Sequence, residues 1–145
     1  MKYPLTFYVS TMHSDFAGMA TGPVIRIREA YRDDVGLQKH EELHVAQFFV
    51  WILLGALLSV IMVTLPQLAS VSLYWPLVLV GSAGVHAGLY TFVWRYRLWA
   101  EVQCYRRQAS YYRVDQRRYF ANRLWALYDL GQHVTEAEIY KLLTR

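Results

Sequence analysis

The chain has 145 residues, enough for one domain, with 55% apolar side chains, 18% charged ones and a net charge of +4. No Asp, Glu, Lys or Arg occurs between Leu43 and Trp94, and a soluble domain of this size has little interior in which to bury so long an uncharged run. A single cysteine, Cys104, excludes an intrachain disulfide and a cysteine-based cluster, so a zinc site here is expected to use nitrogen and oxygen ligands.

In chain order, LTFYVS (5–10) has the aromatic and β-branched content of a short strand. Residues Gly18 to Gly22 read as a turn-rich stretch. In PVIRIREAY (23–31), Val24, Arg26 and Arg28 alternate with Ile25 and Ile27, the period of a half-exposed strand. RDDVG ends that pattern, and Asp33 or Asp34 is placed to cap a helix. From about Leu37 the period becomes helical, with His40, His44, Gln47 and Trp51 on one broad face, and nothing interrupts the helix before the apolar run.

The uncharged stretch divides into Phe48 to Leu65 and about Leu77 to Trp94, joined by a connector with Pro66, Gln67, Ser70, Ser72 and Pro76. Each half approaches the roughly 20 residues that a helix needs to cross a bilayer, and helices are the form that satisfies the backbone in lipid. A transmembrane hairpin is the expectation, with two buried helices of a soluble bundle as the alternative. A cleavable signal peptide is not expected, because the first long apolar run begins near residue 48. Residues 1–47 carry five basic and six acidic side chains and residues 95–145 ten and five, while the connector carries none. The positive-inside tendency therefore places both ends in the cytoplasm and the basic tail beside anionic headgroups. The arginine pairs at 106–107 and 117–118 sit in no recognisable nucleic-acid module, so no nucleic-acid partner is expected.

The second span is expected to continue without a break through RYRLWAEVQCYRRQ (95–108), which has neither Pro nor Gly. Another helix is predicted over about Ala109 to Leu130, with Val114, Ala121, Leu124, Trp125 and Tyr128 as its apolar stripe. Gly131 stops it, and Thr135 with Glu138 forms a capping box for a last helix through Leu143. The chain thus divides into a strand-containing region (1–36), metal-site helices with the hairpin (37–108) and a helical tail (109–145), a mainly α membrane protein with a small N-terminal β element.

The chemistry concentrates in HEELH, residues 40–44. Positions four apart share one side of a helix, so His40 and His44 can direct nitrogens at one Zn²⁺ ion, and Glu41 stands beside it as a base for its water. A catalytic zinc takes three protein ligands and keeps one position open, and Glu101 is the expected third. His44 lies 22 residues before Pro66 and Glu101 lies 25 after Pro76, about 33 and 38 Å of helix, so antiparallel spans bring them to similar depth. The competing role for Glu101 is a salt bridge to Arg97 or Arg106. Glu42 reads as solvent-facing, and Gln47 can bond near the site. His86, about 23 Å along a continuous helix from Glu101, is expected outside the site, bonded within the hairpin to a group such as Ser59. An exposed strand edge at Pro23 to Arg28 is placed to hold an extended peptide. Tyr105, Tyr111, Tyr112 and His133 are candidates to stabilise an oxyanion, with Tyr105 favoured.

The segments GPVIRIREAYRDDVGLQKHEELHVAQ and LWAEVQCY together resemble the gluzincin metallopeptidases, in particular small membrane-associated ones. The resemblance implies that His40, His44 and Glu101 bind zinc and that Glu41 is the catalytic base. Many gluzincins carry a small residue and then Asp after the third-ligand glutamate, where this chain has Cys104 and Tyr105. Support for the histidines is then expected from backbone carbonyls or Asp115. The function these readings imply is zinc-dependent hydrolysis of a peptide or membrane-protein substrate at a bilayer. The alternative is a noncatalytic structural or accessory membrane protein that either lacks or merely binds a metal. Oligomeric state is not specified by these patterns.

Overall fold

The architecture is taken from a computed structural model that describes residues 4–12, 15–68, 70, 72–128, 130 and 133–145. Three short strands precede five helices. β1 (Leu5–Val9) falls where its aromatic and β-branched content predicts a strand, and β3 (Val24–Arg28) where alternation does. They pair in parallel, Leu5 opposite Val24 and Val9 opposite Arg28. The Gly18 to Gly22 stretch is a strand rather than a run of turns: β2 (Gly18–Thr21) pairs antiparallel with β3 through a turn at Gly22, whose φ of 56° suits glycine. The order β1-β3-β2 makes β3 the central strand. Its backbone is paired on both sides, so the free edge expected at Pro23 to Arg28 belongs instead to the outer strands, β1 and β2. Ile25 and Ile27 turn inward against Leu37 and Val45 of the first helix.

That helix, α1 (Val35–Thr64), begins at Asp34, whose Oδ1 accepts the Leu37 N–H at 2.9 Å, and it runs unbroken through 30 residues. Its most apolar 18-residue window has a mean hydropathy of 2.3, yet only 22% of that window is buried. A core helix of a soluble bundle hides most of its apolar surface, whereas Leu53, Leu57 and Val60 are exposed here. α1 is therefore long and apolar enough to cross a membrane. α2 (Trp75–Phe92) starts with Pro76 in its first turn and packs back along α1. They come close at Gly55, where an added Cβ would stand 2.3 Å from Ser82 Cβ.

The uninterrupted second helix predicted past Trp94 does not form. α2 ends at Val93, in extended backbone, and α3 (Trp94–Ala109) leaves at 99°. No helix breaker is present; Val93 donates its N–H to Leu89 and accepts from Arg97, serving both helix ends. Long-range bonds that a straight helix forbids set the bend. Tyr96, three residues on, reaches back to Trp51 and His86, at 2.9 and 2.8 Å. The two segments count as a second span only when taken together as one bent span.

The tail is also shorter in helix than predicted. α3 ends at Ser110, and α4 (Arg117–Leu127) starts only after Asp115 accepts the Arg117 N–H, so Val114 lies outside the helix and exposed. Trp125 is exposed as well, whereas Ala121 and Leu124 are fully buried. The stop expected at Gly131 lies outside the described residues. α5 (Glu136–Thr144) opens with the predicted Thr135–Glu138 capping box. Leu98, Tyr105, Phe120, Leu124, Ile139 and Leu143 join α3, α4 and α5 in one apolar cluster, which fixes α3 against the base of the hairpin.

Candidate metal centre

α3 lies against α1 where His40–Gln47 meet Ala100–Cys104, and Ala100, with no exposed surface, allows close approach. α1 offers His40 and His44 one turn apart; α3 offers Glu101. His40 Nε2 is 3.5 Å from Glu101 Oε2, and His44 Nε2 is 3.2 Å from Glu101 Oε1. The three residues singled out as ligands are thus brought together. They meet by the turn at Val93, not by equal depth along straight spans, and Glu101 faces imidazoles instead of Arg97 or Arg106.

The protonation of His44 follows from its neighbour. Gln47 Nε2 donates to the Ala100 carbonyl at 3.3 Å, and a carbonyl only accepts, so the amide oxygen of Gln47 must face His44. That oxygen lies 3.1 Å from His44 Nδ1. Nδ1 therefore carries a hydrogen, and in the neutral ring the Nε2 lone pair points at a carboxylate oxygen. The Tyr90 hydroxyl already donates to the same Oε1. An acceptor facing an acceptor in a buried site is unfavourable unless a proton or a cation lies between them. Glu101 is 1% exposed, and its Oε2 and the His40 Nδ1 have no hydrogen-bond partner. Two imidazole nitrogens face the two oxygens of one buried carboxylate, with buried polar atoms left unsatisfied, and these donor types are ones a borderline cation such as zinc accepts.

Glu41 is buried beside this group, and its carboxylate accepts the Ala20 N–H from the free edge of β2. Gly18 makes that approach possible, since a Cβ there would stand 2.7 Å from Glu41 Oε1. The Tyr105 ring packs edge-on against His40 at 4.4 Å, and its hydroxyl bonds that of Tyr128. The other oxyanion candidates have different work: Tyr112 bonds Asp34 at 2.8 Å, His133 stacks on Trp94 at 4.6 Å, and Tyr111 is exposed. Glu42 pairs with Lys39 at 2.6 Å, in keeping with a surface role. Asp115, expected as support for a histidine, instead pairs with Arg117 at 3.3 Å and is exposed. The support comes from Gln47 and, through it, from the Ala100 carbonyl.

Three features of the site were not anticipated. His86 belongs to its surroundings, because the bend removes the separation that a straight helix would impose. It bonds Tyr96 rather than Ser59, whose hydroxyl goes to Gly55 and Trp75. Tyr90, the donor to Glu101, carried a signal in its position: a phenol one turn from His86 in an apolar helix needs a polar partner. Cys104 was set aside because one cysteine builds no cluster, yet its sulfur and one ring nitrogen from each of His40 and His44 lie within 4.8 Å of one another. That group does not take in Glu101, so sulfur stands beside the histidines as a donor that nitrogen and oxygen ligands alone leave out.

Two cavities flank the group. One, about 340 Å³, is lined by Asp34, Tyr105, Gln108 and Tyr112, and the other, about 610 Å³, by β2, His86, Tyr90 and Glu101. His40 and Glu41 line both, so the imidazole and the candidate base are reached from either side. Comparisons with family models, curated proteins and solved structures find no match to this chain.

Proposed function

We propose that this chain is a membrane-embedded zinc endopeptidase of gluzincin type, acting on a peptide or membrane-protein segment at the bilayer surface. The observation that carries the reading is the pair of histidine nitrogens turned on one buried carboxylate, with the hydrogen of His44 committed to Gln47. His40, His44 and Glu101 would hold the ion. Bound there, zinc supplies Lewis acidity and a water of lowered pKa. Glu41 would accept a proton from the attacking water and pass it to the leaving amine. The buried Ala20 contact holds the carboxylate in place while it does so. Tyr90 keeps Glu101 oriented, and Tyr105, beside His40, is the candidate donor to the carbonyl oxygen as it gains charge. The exposed apolar face of α1 and the bent α2–α3 pair support two membrane crossings, with the uncharged connector outside and the metal site and both ends in the cytoplasm.

The test is zinc content and peptide hydrolysis in detergent-purified protein. Wild type should carry about one zinc per chain. Glu41→Gln should abolish hydrolysis while retaining zinc, and Glu101→Ala should lose zinc. Folded wild type that takes up no zinc sinks the reading. A second reading, a noncatalytic metal-binding accessory protein, is favoured by the cysteine among the donors; it predicts stoichiometric zinc with no hydrolysis above the level of Glu41→Gln, even when Cys104 is replaced by Ala.

A further inference from the structure

Three candidates stand outside the roles assigned so far: the open glycine face of α2, Arg97 on the larger cavity wall, and the buried thiol of Cys104. Of these, only the thiol is joined to independent observations that point to a ligand.

Cys104 is three positions from Glu101 on α3, so both side chains project toward the same strip of α1. It is fully buried, and its Sγ lies within 4.8 Å of a nitrogen of His40 and of His44. Tetrahedral zinc with Zn–N near 2.0–2.1 Å and Zn–S near 2.3 Å places sulfur and nitrogen roughly 3.5 Å apart, so adjustments of about 1 Å complete such a set. Glu101 is 1% exposed, and its Oε2, 3.5 Å from His40 Nε2, has no hydrogen-bond partner, which leaves unsatisfied buried donor capacity beside these residues.

We propose that the Cys104 thiolate is a fourth protein ligand. With His40, His44 and Glu101 it closes the coordination sphere, and the centre rests in a latent form. This inference depends on the metal-binding part of the reading above. Four protein donors are the pattern of structural zinc, whereas catalysis needs an open position. On this assignment the sulfur occupies the place a water needs, and hydrolysis begins only when it leaves. No other residue has to move far, because Glu41 and both cavities already border the group.

Cobalt(II) loaded into purified full-length protein reads the ligand directly. Wild type at one cobalt per chain should show thiolate-to-cobalt charge-transfer absorption in the near ultraviolet. Cys104→Ala should lose that band, retain the visible bands of histidine-bound cobalt, bind cobalt about tenfold or more weakly, and, loaded with zinc, hydrolyse peptides faster than wild type. Should the variant fail to fold, X-ray absorption at the zinc edge of wild type decides alone, with a sulfur neighbour at about 2.3 Å expected. Stoichiometric metal with a nitrogen and oxygen environment and no sulfur overturns the thiolate assignment and leaves the metal reading standing. A Cys104→Ala protein that keeps the charge-transfer band overturns it too. Failure of folded wild type to bind either metal overturns both.

Discussion

Gly55→Ala tests the packing that brings the spans together. An ideal Cβ at Gly55 would lie 2.3 Å from Ser82 Cβ and 2.4 Å from its Oγ. Carbon atoms in contact sit at about 3.5–4.0 Å, so the axes must part by roughly 1.5 Å, and neither contact is the tip of a flexible chain. Overpacking of that kind costs about 1–3 kcal/mol, and the Ser59 bond to the Trp75 carbonyl, 3.2 Å long and one turn away, is stretched as well, a loss of about 1 kcal/mol. The gain in helix propensity from Gly to Ala offsets about 1 kcal/mol. The net expectation is a loss of about 1–3 kcal/mol in reversible unfolding from detergent micelles. Gly55→Ala with Ser82→Gly should recover most of it, a coupling of the size expected for residues in contact. Gly81→Ala is the control, since a Cβ there meets nothing within 4 Å, and it should be neutral or slightly stabilising. A Gly55→Ala protein as stable as wild type, or no recovery in the double variant, would refute the close crossing of α1 and α2.

Two further outcomes follow from the site and its supports. Gln47→Leu removes the acceptor that fixes the His44 tautomer and should weaken zinc binding about 10–100-fold in chelator competition, with the fold retained by circular dichroism. Burial, together with the Asp34 carboxylate, pushes the Tyr112 hydroxyl up to about 12. The native state then holds this proton where the unfolded chain releases it. Stability from this group is complete below about pH 10, the ordinary tyrosine value, and is lost as pH rises toward the folded value. Thermal melts across that window should fall less steeply for Tyr112→Phe than for wild type; equal slopes would remove Tyr112 from the account.

Local chemistry made part of this molecule readable. Asp34 caps α1 because a short acidic side chain precedes a helical pattern, and Thr135 with Glu138 announces α5 by the same logic. Ile25 and Ile27 disclose the buried face of β3 by alternation. His40 and His44 needed only the helical repeat, and Glu101 followed from counting along two spans. Residues 18–21 hid a strand, since Gly18, Met19 and Ala20 carry weak β preference, Thr21 alone favours a strand, and β2 is held by pairing with β3. The absence of a side chain at Gly18, which reads as a turn signal, instead makes room for Glu41.

The bend at Val93 shows where such reading stops. Nothing in FVWR opposes a helix, and the alternative is set by partners far along the chain: Trp51 and His86 for Tyr96, and Glu101 for Tyr90. Counting along straight spans nevertheless reached residues that lie together, because the turn redirects α3 toward α1 so that Glu101 meets His40 and His44. That face repeats every three to four positions, so whatever delivers Glu101 delivers Cys104 with it. A reading that seeks a third ligand and stops at the first carboxylate will pass over the sulfur one turn on. On the proposed assignment, the donor that decides whether the centre is open or closed is set by the helical repeat of α3, and the direction from which α3 arrives is fixed by tertiary bonds.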